Sequence, residues 1–214
     1  MSTNNKKNVS VVKGVAGGYF WSAPSGTTVP TDIKTALPEA FVNAGYISKD
    51  GIKSTIKTDS TDITDMNGDT VDSETSSRKE TFDITFMEIA KNALAEIYGA
   101  GNVTDANGII TVKHNGDEPA ERVGVMELVM KNGRRWRRVL PSYKRTDTGD
   151  ESVGGGEASG RQITITALVD ESGTSVYDYI ESTETTAGAE WQSRSNPPWR
   201  SISSSSTSRA RSTR

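Results

Sequence analysis

Few side chains in this sequence have chemistry to offer: one histidine, a spaced series of aspartates, a glycine-rich run and a cluster of arginines. His114 sits beside Asn115-Gly116, which reads as a surface turn, and a general base or metal ligand there lacks an evident partner. Asp59, Asp62, Asp65, Asp69 and Asp72 are the right residue type for calcium, but their spacing misses the calcium-loop pattern and no glutamate completes it. Gly155 to Gly160 echoes a phosphate loop, yet Arg161-Gln162 replaces the required Lys-Ser/Thr and a strand follows where a helix belongs. With no cysteine, disulfide scaffolds, thiolate metal sites and cysteine nucleophiles are excluded. The sequence therefore predicts no catalytic residue, no metal site and no cofactor.

The arginine cluster is the one dense basic feature. In Arg134-Arg135-Trp136-Arg137-Arg138, strand alternation puts Arg135 and Arg137 on one face and Arg134, Trp136 and Arg138 on the other. Basic residues interleaved with an aromatic suit single-stranded nucleic acid. The surroundings argue otherwise. The chain of 214 residues has a formal net charge of −3, but residues 183–214 hold five arginines against two glutamates, so residues 1–182 stand at −6. An acidic body is a poor phosphate binder. Pairing of Arg134, Arg135, Arg137 and Arg138 with carboxylates of a neighbouring subunit is the preferred reading.

The elements around these residues are mostly strands. Over residues 81–87 Phe82, Ile84 and Phe86 alternate with Thr81, Asp83 and Thr85, the period of a half-buried strand. From Met87 the apolar residues fall at Met87, Ala90, Leu94, Ile97 and Tyr98, which predicts a helix over 87–98 closed by Gly99. Residues 46–48 and 52–57 read as strands around an Asp50-Gly51 hairpin turn, and 37–42 as one or two helical turns. Residues 122–131 and 134–140 make the strongest hairpin, joined by Asn132-Gly133 in a type I′ turn. Residues 108–113, 161–169 and 176–180 are further strands, and 147–160 an acidic glycine-rich loop.

Three segments stand outside this pattern. Residues 1–8 read as a flexible arm. Residues 58–78 are polar, with Ile63, Met66 and Val71 as their sizeable apolar side chains, and are too long for an ordinary connection. Another surface is expected to order them. Residues 183–214 are rich in Ser, Thr, Arg and Pro, with Trp191 and Trp199, and are expected to be disordered. The apolar fraction is 33% and no run is long enough for a signal peptide or a membrane span. A soluble, mainly β domain over 9–182 is predicted.

Several stretches together resemble the major tail proteins (tail tube proteins) of long, non-contractile-tailed bacteriophages, in particular those of actinobacteria. They are GVAGGYFWSAPSGTTVPTD, LPEAFVNAGYISKDGI, DITDMNGDTV, ETFDITFMEIAKNALAEIYG and RQITITALVD, within residues 9–180. The resemblance implies a β-sandwich or barrel-like subunit with one flanking helix, six of which form a ring whose inner strands line a channel. It implies a virion protein assembled in the host cytoplasm, with tape-measure, assembly-chaperone, terminator and distal tail proteins as partners and DNA only in transit. Residues 58–78 occupy the position of a loop bridging to the next ring and subunit, with Ile63, Met66 and Val71 as anchors. Asp83 and Glu88 are candidate carboxylates of a channel face that repels phosphate. A capsid-decoration or tail-surface module, using Trp191 and Trp199 on a host glycan, is the alternative; a cell-wall hydrolase is disfavoured by the lone histidine and the lack of a carboxylate pair.

Overall fold

Two-faced strands and one short helix account for most of the architecture. The computed structural model describes residues 4–153 and 159–182, and among them the fold is mainly β with a single α-helix. In chain order the first strands are β1 (Val12–Gly14), β2 (Phe20–Pro24), β3 (Val42–Asn43), β4 (Ile47–Thr64) and β5 (Thr70–Phe86). Helix α1 (Lys91–Tyr98) comes next, followed by β6 (Val103–Ala106), β7 (Ile109–Val112) and β8 (Arg122–Met130). The chain continues through β9 (Arg135–Ser152), β10 (Gly160–Leu168) and β11 (Tyr177–Ile180). Nine strands form one open antiparallel sheet along the path β3-β2-β8-β9-β10-β5-β4, with β1 joined to β8 and β11 to β9. Strands β6 and β7 form a separate hairpin.

Strand β9 couples the two halves of this sheet. Its residues 136–139 lie between β8 and β11, whereas 142–152 pair with β10. Pro141, which has no N–H to donate, falls where the ladder to β8 shifts between Arg122 and Gly124. The β2–β8–β9 layer is covered on both sides, so β8 reads as a nearly unbroken apolar run. One side joins Phe20, Met126, Leu140 and Tyr143 to Phe82, Ile84 and Phe86 of β5, Ile163 and Ile165 of β10, and Ala93 and Ile97 of α1. The other is a smaller cluster of Ala23, Phe41, Val123, Val125 and Val139. Each large side chain fully buried here contributes roughly 1.5–3 kcal/mol.

Several expectations are corrected. The helix starts at Lys91 and not at Met87, because the Met87 N–H donates to the Tyr46 carbonyl and keeps the chain extended. Gly99 does close it, donating to the Ala95 carbonyl. Asp50-Gly51 makes no hairpin: residues on either side belong to β4, and the pairing shifts between Ile47 opposite Phe86 and Ile52 opposite Ile84. Residues 37–42 form a single turn, Phe41 N–H to the Pro38 carbonyl, leading into β3. Residues 147–152 belong to strand β9 and not to a loop. Of the glycine run, 154–158 lie outside the described residues, as do 1–3 and 183–214 with Trp191 and Trp199. Of the N-terminal arm, Lys6–Asn8 form a short 3₁₀ turn.

The turns follow one rule. At Asp65–Asp69, Met130–Arg134 and Asp170–Thr174 the fourth residue, a glycine, donates to the first carbonyl while the first N–H donates to the fifth carbonyl. The glycines Gly68, Gly133 and Gly173 have φ of 79° to 87°. This is a type I turn with a glycine bulge, so Asn132-Gly133 is not the type I′ turn expected of it. That turn occurs at Asn107-Gly108, both with positive φ, between β6 and β7.

Aspartates fasten these and neighbouring turns. Asp170 Oδ1 accepts from the Ser172 and Thr174 N–H groups at 2.8 and 3.0 Å and from the Ser172 hydroxyl, and Oδ2 accepts from Tyr177 Oη. Asp32 accepts from the Thr35 hydroxyl and from the N–H groups of Thr35 and Lys34, each at 2.6 Å. Donation by Ser172 and Tyr177 to Asp170, and by Thr35 to Asp32, lowers each carboxyl from 3.8 to about 2. A depressed carboxyl stabilises the fold above its unfolded value and ceases to do so as pH falls through its folded value. Amide exchange at Lys34, Thr35, Ser172 and Thr174 should therefore stay slow down to about pH 4 and accelerate between 4 and 2, beyond the intrinsic pH trend. Unchanged protection at pH 2 would show that these carboxylates do not hold the turns.

Candidate assembly surface

The residues expected to form a loop at 58–78 are the outer half of the β4–β5 hairpin, paired from Thr58 opposite Arg78 to Thr64 opposite Thr70. Every residue from 56 to 79 is exposed. A ribbon of about ten residue pairs at 3.3 Å each projects roughly 30 Å past the last buried side chain, Glu80. At its tip the Met66 side chain is wholly exposed, with Ile63 at 49% and Val71 at 63%. The aspartates of the ribbon do not form a calcium loop. Asp65 Oδ1 instead accepts from the N–H groups of Asn67 and Asp69 at 2.8 and 2.9 Å. Backbone donation from Asp69 and Asn67 lowers its pKa. Among the described residues no group of three or more His, Asp or Glu side chains is placed to hold a metal ion.

Asp83 lies where alternation puts it. It shares a row with Lys53, Thr164 and Asp147 across β4, β5, β10 and β9, and accepts from the Thr164 hydroxyl at 2.7 Å. Thr81, Thr166 and Lys144 form the next row on this polar face, the reverse of Phe82, Ile84 and Ile165. Glu88 is not on that face. It follows the end of β5, and its Oε1 accepts from the Tyr46 N–H at 3.0 Å, tying the strand end to β4.

The basic cluster is largely engaged within its own chain. Arg137 is buried, 2.6 Å from Glu127 Oε1, and donates to the carbonyls of Asp32 and Thr35 at 2.8 Å. It thereby pins the loop over the smaller core. Arg138 is bidentate with Asp178, its cross-strand partner, and stacks on Trp136. Arg134 Nε donates to the Glu181 carbonyl, while Arg135 remains exposed. His114 is exposed, its ring 4.4 Å from that of Tyr98.

A buried network escaped the sequence reading. Glu96 of α1 accepts from Ser22 at 2.5 Å and from Tyr143 Oη at 2.7 Å, and pairs with Arg122 at 3.0 Å. Burial, and then the Glu96 charge, push the Tyr143 phenol well above its ordinary value. The network docks the helix onto β2, β8 and β9. Its signal was a glutamate on the helix face shared with Ala93 and Ile97.

A model of the phage tail tube protein family matches residues 1–190. The chain belongs to that family. Among solved structures this tail tube protein is similar to the tube-terminating cap of the anti-feeding prophage, at 14% identity, 81% of this chain, 96% of that chain and a TM-score of 0.38. No curated protein matches it in sequence. Family membership makes the tail tube protein a structural component of the virion tail, assembling into a tube with other tail proteins.

Proposed function

We propose that the chain polymerises as stacked hexameric rings into the tube of a long, non-contractile phage tail, and that the tube conducts DNA into the host. The carrying observation is the ribbon over 56–79, exposed throughout and buried against nothing in its own chain. An isolated two-stranded ribbon is marginal in water, so a neighbouring copy that covers it gains stability from the contact. The sheet is open, with β4 at one end of its path, and closure around a ring removes such edges. The face bearing Asp83, Thr164 and Thr81 would line the bore. Lys53 stands there against Asp83 and Asp147, Lys144 is paired with Glu118, and Lys57 opposite Lys79 continues the face toward the ribbon. In this reading the protein has no catalytic role, and tape-measure, chaperone, terminator and distal proteins are its partners. The ribbon favours a tube over a decoration module.

Cryo-electron microscopy of the concentrated chain with tail-assembly factors is expected to show six-fold tubes with an open channel. A fully ordered monomer or a small closed oligomer under those conditions would overturn the reading.

A further inference from the structure

A groove of about 600 Å³ lies between β1 and the start of β4. Val12, Ile47, Ile52, Met126, Leu128 and Trp136 form its apolar lining. Lys13 and Lys49 also line it, with Asp50 the acidic residue among them. Ser48 belongs to its wall, and the buried Ser48 Oγ has no hydrogen-bond partner. An apolar slot with two cations calls for an occupant that is apolar and acidic.

The same chain carries such a group. The ribbon tip presents Met66 in full, flanked by Asp65 and Asp69 and backed by Ile63 and Val71. Between Thr58 and Ser77 there are six carboxylates and no basic residue. We infer that the Met66 tip of one copy seats in the Val12–Trp136 groove of another, with Asp65 and Asp69 against Lys13 and Lys49. This rests on the tube reading and names the receiving surface of its ribbon. A chain cannot fill its own groove. Ile52, on the lining, is separated from the end of β4 by twelve residues of extended strand, roughly 40 Å. Tip and groove are different patches, so the contact is heterologous and propagates into a ring or a filament instead of closing a dimer.

The absence of cysteine makes the test direct. Chains carrying Met66→Cys are mixed with chains carrying Asp50→Cys, at the exposed rim of the groove, assembled with tail factors and treated with a short bis-maleimide. A covalent dimer is expected in tubes, at least tenfold above a control mixture of Met66→Cys with Lys34→Cys. Separately, Met66→Asp should abolish tubes while Met66→Leu retains them, both with an unchanged thermal midpoint because the side chain is exposed. Tubes that cross-link no better than the control, or form normally with Met66→Asp, would overturn the inference and leave the tube reading intact. Failure of the unaltered chain to form tubes would instead overturn the tube reading, and this inference with it.

Discussion

Arg137→Ala is expected to cost about 3–5 kcal/mol of folding stability, the usual result of breaking a buried ion pair from one side. The pair is dry, with 3% of the Arg137 side chain and 9% of Glu127 exposed. Removing the guanidinium strands the Glu127 carboxylate and leaves the Asp32 and Thr35 carbonyls without their donor. Typical domains have only about 5–15 kcal/mol in total, so the variant should sit near the edge of folding. Arg137→Lys should recover only part of the loss. One ammonium cannot reproduce the fork that reaches a carboxylate and two carbonyls together. The paired variant Glu127→Leu with Arg137→Leu should be more stable than Arg137→Ala, because it leaves no buried charge alone. Urea midpoints at constant slope would measure all three. A loss below about 1 kcal/mol for Arg137→Ala would mean that water reaches Glu127 and the pair is not structural.

That pair was only half legible in the sequence. Glu127 stands out as the one charge in an apolar run, but counting outward from a two-residue Asn132-Gly133 turn sets it opposite Arg138, and the glycine bulge shifts the register by one to bring it opposite Arg137. Strands with one dry face were legible too, as Phe82, Ile84 and Phe86 show, because a buried face imposes a period of two. The ribbon was misread as a loop for the complementary reason. Neither of its faces is buried in the chain, so no periodicity marks it, and only the hydrogen-bond ladder makes it a strand. Met87 and Ala90 fit helical spacing, but pairing with Tyr46 overrode it. The groove had no sequence signal, since β1, Tyr19, β4, β8 and β9 each contribute to its wall.

Excising the ribbon is expected to abolish assembly and leave the fold intact. Thr58 and Arg78 are cross-strand partners, so replacing residues 59–77 by Asn-Gly rejoins the hairpin through a two-residue turn. No side chain removed is buried, so the thermal midpoint should change by no more than about 2 °C. Tube formation should fall to nothing, because the excised segment carries Ile63, Met66, Val71 and all six ribbon carboxylates. An unfolded product would show that the ribbon supports its own domain, and intact tubes would show that the ribbon is not what assembles them. Mixing separates the alternatives further. The shortened chain keeps its groove but has no tip, so it can receive a neighbour without donating to the next. Added at one part in ten to the full-length chain, it should shorten tubes in proportion to its mole fraction, as a chain terminator does. If it were ignored by growing tubes, the groove would not be the receiving surface. If it were incorporated without shortening them, the tip would not be what drives growth.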